Sequence, residues 1–292
     1  MTGRLSDISA RVDGIRQLGA VVNAMRGIAA ARAQQARSQL VAVESYSATI
    51  ALAIARTLPQ VPAARSDTAG RSTRPAVVLF CAEQGFAGAF SERMLDAVRA
   101  DLSDSELFLV GTRGRAVAAE KGVVAAWNSP MPSSSLGIPK LADRISEALY
   151  ARIATGEIDR LDAVFSRWQP GHGIRIEGCR LFPLDMSGFP RPKDANTPLL
   201  NLPSEMLLIG LTADYVHAQL CRTALHAFAA ENEARMEAMA SARSQIERQL
   251  SALQVTQRTM RQEEITAEII ELVAGETASR LGYDLQSSAK NG

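Results

Sequence analysis

The sequence predicts an α/β domain flanked by two long helices that pair as an antiparallel coiled coil. Three observations predict it: a proline-free, heptad-spaced first 57 residues; a second heptad seam near the C-terminus, with no proline after Pro203; and, between them, short apolar runs alternating with helix-spaced segments.

At the N-terminal end, apolar side chains recur in steps of three and four. The series is Leu5, Ile8, Val12, Ile15, Gly19, Val22, Arg26, Ala29, Ala33, Ala36, Leu40, Val43, Ser47, Ile50 and Ile54, and twelve of its fifteen members are apolar. One helix over residues 1–58 accommodates them, roughly 75 Å long over about 50 residues. Pro59 and Pro62 end it, and the small, polar residues up to Arg74 read as a linker over 59–74.

Residues 75–203 read as the globular part. Strands are expected at Ala76–Cys81, Leu107–Val110, Val123–Trp127, Leu161–Trp168 and Ile174–Phe182. Helices are expected over Ser91–Ala100, Thr112–Lys121 and Ile138–Thr155. This order suggests a largely parallel, Rossmann-like sheet with helices on both faces, closed by a hairpin at Pro170–Gly171. Prolines between residues 183 and 203 mark an irregular connection.

The second long helix spans 204–275, with Ser204 as N-cap and Glu205 in its first turn. Its seam runs Met236, Met239, Arg243, Ile246, Leu250, Leu253, Gln257, Met260 and Glu264, and a tail covers 276–292. The two seams bury most simply against each other. Arg26, Arg243, Gln257 and Glu264 interrupt them. Such polar seam positions either set register at a cost in stability or meet something that surrounds the helices.

Composition narrows the function. A formal net charge of +1 gives no polycation for nucleic acid. Four lysines stand against 28 arginines, which reads as codon usage. Cys81, Cys179 and Cys221 are far apart and read as plain buried thiols. No signal peptide is legible, and no run reaches about 18 consecutive apolar residues, so direct membrane insertion is not expected. There is no GxxxxGK[ST] or GxGxxG fingerprint, and no cofactor is expected. The Gly85–Gly88 turn is a weak phosphate-cradle signal, and His172, His217 and His226 are too scattered for a metal.

At this point the ends resemble a known family, the gamma subunits of F-type ATP synthases. The N-terminal likeness lies in Ile15-Arg16-Gln17 and in Asn23-Ala24-Met25-Arg26-Gly27-Ile28-Ala29-Ala30-Ala31-Arg32. The C-terminal likeness lies in Tyr215-Val216, Gln219-Leu220, Ala230-Glu231, Ala234-Arg235-Met236 and Ala238-Met239. It continues in Arg261-Gln262, Ile265-Thr266, Glu268-Ile269 and Glu271-Leu272-Val273. In the middle, Gly85-Phe86-Ala87-Gly88-Ala89-Phe90-Ser91, Val110-Gly111 and Asp159-Arg160-Leu161 are similar to family motifs. Ala89, Ser91 and the tail after Gly275 depart from the usual pattern, and the chloroplast dithiol insertion is absent. These departures suggest a bacterial form, of the main or the alternate, N-type, ATPase.

The resemblance implies a non-catalytic rotor shaft carrying torque between a membrane ion-driven ring and a catalytic head. The implied partners are the head's alpha and beta subunits, the epsilon subunit and the membrane c-ring. The implied place is the cytoplasmic face of the bacterial plasma membrane, peripherally. Arg26 and Arg32, beside Met25, would face an acidic loop of the head, in a segment where seven arginines meet three acids. Arg261, Gln262, Thr266 and Glu268 would meet a catch loop. The central domain and the region near Tyr215 would meet epsilon and the ring. The bland alternative makes these arginines solvated helix charges. Two other readings compete: an α/β enzyme with helical dimerisation arms, drawing on Glu83, Ser91 and Asp159, and a free coiled-coil adaptor.

Overall fold

The computed structural model describes residues 2–61, 75–185, 189 and 199–288, with side chains over 4–61, 75–185, 189 and 199–276. The expected linker from residue 62 onward and most of the proline-rich connection lie outside the described residues. In order, the elements are α1 (Thr2–Thr57), β1 (Pro75–Phe80), α2 (Phe90–Val98), β2 (Glu106–Val110), α3 (Thr112–Glu120), β3 (Trp127–Ser129), α4 (Ile138–Ala154), β4 (Arg160–Gln169), β5 (Gly173–Phe182) and α5 (Ser204–Ser288). The chain divides into two compact units, residues 1–25 with 239–292, and residues 26–238.

The larger unit holds the sheet, ordered β3-β2-β1-β4-β5. β1 pairs in parallel with both β2 and β4, β2 pairs in parallel with β3, and β5 closes the edge antiparallel to β4. The central strand β1 is apolar throughout because both of its faces are covered. Ala76, Val78 and Phe80 pack with α4, with Ala36 and Leu40 of α1 and with Val216–Ala229 of α5. Val77 and Leu79 point the other way, to α2, α3 and the pair Ala230 and Ala234 of α5. That alternation is the two-residue period of a strand.

Three expectations need correction. The third strand begins at Trp127, not Val123. Gly122 takes φ +70°, Val123 N–H donates to Ala118 O (2.8 Å) and Gly122 N–H to Ala119 O (3.1 Å). This glycine-terminated cap closes α3 and uses the N–H that a strand would need. Ser204 is not the N-cap of α5: Leu207 N–H donates to Pro203 O (3.0 Å), so the helical ladder starts one residue earlier. The Ser204 hydroxyl donates instead to Gln60 O (3.1 Å), just past the end of α1. Finally, α5 stays helical to Ser288, past the end at residue 275 expected from sequence.

One 18-residue window of the first helix has a mean hydropathy of 1.3 with few charges, enough by length and composition for a membrane span. The helix that holds it packs as a core element: Leu40, Ile50 and Ile54 are buried, and buried Ser47 accepts from Gln219 Nε2 at 2.7 Å.

Candidate functional site

In the smaller unit the two helices run antiparallel. Asn23 Oδ1 accepts from Arg243 Nη1 (3.4 Å), and Ser9 Oγ accepts from Gln257 Nε2 (2.9 Å). Around the Asn23–Arg243 pair, Val22, Met239 and Ile246 are buried together, with Ile15, Met25 and Ala242 packed against them. Positions on α1 fall as their partners on α5 rise, as an antiparallel pair requires. Two of the four interrupting residues, Arg243 and Gln257, therefore set register across the seam. Glu264 is half-buried and, with Arg4, Leu5, Met260 and Glu263, lines a small cavity of about 40 Å³. Across both seams every side chain is buried or half-buried except Arg26 and Arg243.

The expected contact residues fall into separate groups. Met25 is half-buried in the Val22 cluster. Arg261, Gln262, Thr266 and Glu268 are exposed on α5, beyond Met260. From Met239 to Arg261 is 22 residues, roughly 33 Å along a helix, so the two sets lie at different heights of the smaller unit. Thr266 Oγ1 donates to Gln262 O (2.8 Å), which leaves its oxygen free to accept. In the larger unit Arg26 is exposed and Arg32 half-buried. Among the described residues, Arg26, Arg32 and Arg261 have no ion-pair partner. Leu18, Val21, Ile265 and Ile269 are all more than half exposed, on helices whose seams are otherwise covered.

The enzyme alternative places its chemistry at the C-terminal edge of the parallel strands, and there the polar groups are already used. Glu83 Oε2 accepts from Thr112 N (2.9 Å) and Met131 N (2.8 Å), and Oε1 accepts from Thr112 Oγ1 (2.7 Å). Ser91 is buried, and its Oγ accepts from Ala82 N (3.2 Å). Asp159 precedes Arg160, which pairs with Pro75, so it sits at the opposite end of the sheet. The three do not converge. Burial, reinforced by Glu231 and Glu92, pushes the Cys81 thiol well up, away from nucleophilic use. Cys221 is pushed up to about 12, by burial first and Asp143 second. His217 Nε2 lies 3.0 Å from Asp143 Oδ1 but outside hydrogen-bond geometry. His226 stacks on Phe165 with ring centroids 5.7 Å apart. Burial, then Arg167 and Arg222, lower its pKa to about 4.

A cleft of about 450 Å³ opens at the Gly85–Gly88 turn. Beside that turn, the N–H groups that lead into it are already taken: the backbone N–H groups of Glu83 and Gln84 donate to Glu231 of α5, at 3.1 and 3.3 Å. A carboxylate of the protein itself stands where an anion would sit. This use of Glu231, with its partner Arg235, was hidden in the sequence. The visible signal was a Glu and an Arg four residues apart inside an alanine-rich helical stretch.

The family model described as ATP synthase matches residues 4–278. The chain belongs to the ATP synthase gamma chain family. It is 28% identical over 299 residues to the ATP synthase gamma chain of Parafrankia sp. (strain EAN1pec), covering 97% of this chain and 100% of that one. It is also 28% identical over 293 residues to the ATP synthase gamma chain of Anaeromyxobacter dehalogenans (strain 2CP-C), covering 94% and 99%. Among solved structures, a chain of the Euglena gracilis mitochondrial ATP synthase (OSCP/F1/c-ring, rotational state 3) shares the fold with a TM-score of 0.61 at 14% identity, covering 97% of this chain and 96% of that one. A chain of the Tetrahymena thermophila mitochondrial ATP synthase central stalk/c-ring structure does so with a TM-score of 0.53 at 14% identity, covering 76% and 99%. Membership makes this chain the gamma subunit, the non-catalytic central-stalk subunit of an F-type ATP synthase, in place of the enzyme and adaptor alternatives.

Proposed function

We propose that the chain acts as a torque-bearing shaft, linking an ion-driven membrane ring to the catalytic head during ATP synthesis or hydrolysis. Its partners on this reading are the head's alpha and beta subunits, the epsilon subunit and the c-ring. It works peripherally, at the cytoplasmic face of a bacterial plasma membrane.

The observation that carries the reading is the antiparallel helix pair with a closed seam, bordered by arginines with no ion-pair partner among the described residues and by exposed apolar side chains. A shaft must show different faces to the subunits around it, because only differential contact energy can bias one of them toward one conformation. Arg26, Arg32 and Arg261 are charged groups without ion-pair partners among the described residues. The exposed Leu18, Val21, Ile265 and Ile269 are apolar surface that a surrounding sleeve would cover. Arg26 and Arg32 suit an acidic loop. Arg261 and Gln262 offer donors, and Thr266 and Glu268 offer acceptors, to a catch loop.

Co-expression with alpha, beta and epsilon subunits tests this. The chain should purify with them, and the Arg261→Ala/Gln262→Ala variant should lower coupled ATP synthesis or assembly while the α/β sheet stays folded. Full coupled activity in that variant would remove those two residues from the contact. A chain that purifies alone would remove the shaft.

A further inference from the structure

Most of the surface where α5 meets the sheet of the larger unit is apolar: Ala224, Leu225, Phe228, Ala230 and Ala234 pack against strand side chains. Apolar contact is non-directional, so it resists separation better than sliding. One directional connection interrupts it. Glu231 accepts from Glu83 N and Gln84 N. Arg235 reaches back to the same loop, donating from Nε to Gly85 O (3.3 Å) and from Nη2 to Gln84 O (3.4 Å). Glu231 and Arg235 also form an ion pair with each other. Arg235 Nη1 donates to Asn232 Oδ1 (3.0 Å), and Asn232 Nδ2 is itself fixed to Phe228 O (2.8 Å). Glu231 is 3% exposed, Asn232 2% and Arg235 5%, so the α5 side of these bonds is withdrawn from water, while Gln84 and Gly85 on the loop side are exposed.

A second directional tie lies within the same turn, on another side of α5. Arg37 of α1 pairs with Glu233 of α5, and its guanidinium lies 4.7 Å from the ring centroid of Trp168 on β4. The Glu231–Arg235 pair is buried, and a buried ion pair adds little net stability over an apolar pair of the same size, so stability is a poor reason for keeping it. What such a pair supplies is a fixed register.

The geometry points to the Glu231–Arg235 couple as a torque clamp, the place where the strand-end loop 83–85 and α5 are locked to turn as one body. It is a positioning device, not a catalytic one, and it rests on the shaft reading above. Load applied to the sheet reaches α5 as shear, and four hydrogen bonds between one loop and α5 oppose that shear. The loop offers its N–H groups to Glu231 and its carbonyls to Arg235, so the couple holds it from both polarities.

The test uses the complete complex, carrying the full chain, in sealed vesicles, with ATP hydrolysis and membrane potential followed together by a potential-sensitive dye. The dye responds to either coupling ion. The variant is Glu231→Met/Arg235→Met, which removes the clamp without leaving a lone buried charge and so preserves folding. Two results are expected. Amide exchange at residues 83 and 84 speeds by at least about tenfold, because those N–H groups lose their buried acceptor, while β1 and β2 amides keep their protection. Potential per ATP hydrolysed falls, while the hydrolysis rate stays within about twofold of wild type, a change of under about 0.5 kcal/mol in the barrier. Arg235→Lys, which keeps the charge but loses the planar fork, should fall between. A variant with faster exchange at 83 and 84 but full potential per ATP would overturn the clamp and leave the couple merely structural. A wild-type complex that hydrolyses ATP and builds no potential would overturn the shaft reading, and the clamp with it.

Discussion

Gly19 offers a two-sided test of how closely α1 and α5 approach. A Cβ added there would lie 3.4 Å from Ile246 Cγ2, with no other neighbour within 4 Å. The carbon–carbon optimum is about 3.5–4.0 Å, so an alanine just fits, a tenth of an ångström or so tight. Replacing glycine by alanine inside a helix adds about 1 kcal/mol from propensity alone. Subtracting a few tenths for the tight contact, Gly19→Ala should stabilise the smaller unit by about 0.5–1 kcal/mol. Gly19→Leu places three further carbons where Ile246 already packs. Overpacking costs typically about 1–3 kcal/mol, so the sign reverses to a net loss of about 1 kcal/mol or more. Ile246→Ala should then rescue the leucine variant by opening that space. The assay is amide exchange of segments 10–25 and 240–255, because a global melt would sum both units. With about 1.4 kcal/mol per tenfold, alanine should slow exchange roughly threefold and leucine should speed it by about fivefold or more. Faster exchange in Gly19→Ala, or alanine and leucine behaving alike, would refute the seam geometry at this position.

Other positions give independent outcomes. Gly114→Ala would put a Cβ 2.1 Å from Cys81 Cβ, so α3 must lift from the end of β1; a loss of about 2–3 kcal/mol in urea unfolding is expected, partly restored by adding Cys81→Gly. Glu83→Leu should cost about 2–3 kcal/mol by stranding Thr112 N and Met131 N, whereas Glu83→Gln, which keeps an acceptor, should cost about 1 kcal/mol. His226 has a folded pKa near 4 against an ordinary 6.5. The unfolded chain therefore binds the extra proton first, and stability held above pH 6.5 is lost as pH falls through that window. Allowing for partial solvent contact, the loss is about 2 kcal/mol, and His226→Gln should flatten it in pH-dependent denaturation.

The seams were legible because burial against one partner imposes a strict period, and 22 of the 24 seam positions are at least half-buried. The sheet was legible because strands covered on both faces must be apolar end to end, as Ala76–Phe80 is. What sequence could not show were features made by hydrogen bonds that side-chain type does not dictate. Val123 has a strand-forming side chain, but its N–H caps α3. Ser204 looks like a cap, but its hydroxyl bonds another segment. Glu231, Glu233 and Arg235 are charged residues on a helix, and pattern alone assigns such residues to solvent. Only the fold, which brings loop 83–85 and Arg37 to them across nearly 150 or 200 residues, makes burying them affordable. Among the expected contact residues, sequence pattern placed Met25 on one helix and Arg261 on the other, but not that they sit at different heights of the same pair.

Rotation tests the central claim most directly. Val124 is 88% exposed, so a cysteine there, in a chain whose Cys81, Cys179 and Cys221 are replaced by alanine, can carry a visible probe. With the catalytic head of the assembled complex held to a surface and ATP supplied, the account predicts that the probe turns steadily in one direction. Sustained ATP hydrolysis with a stationary probe would contradict it.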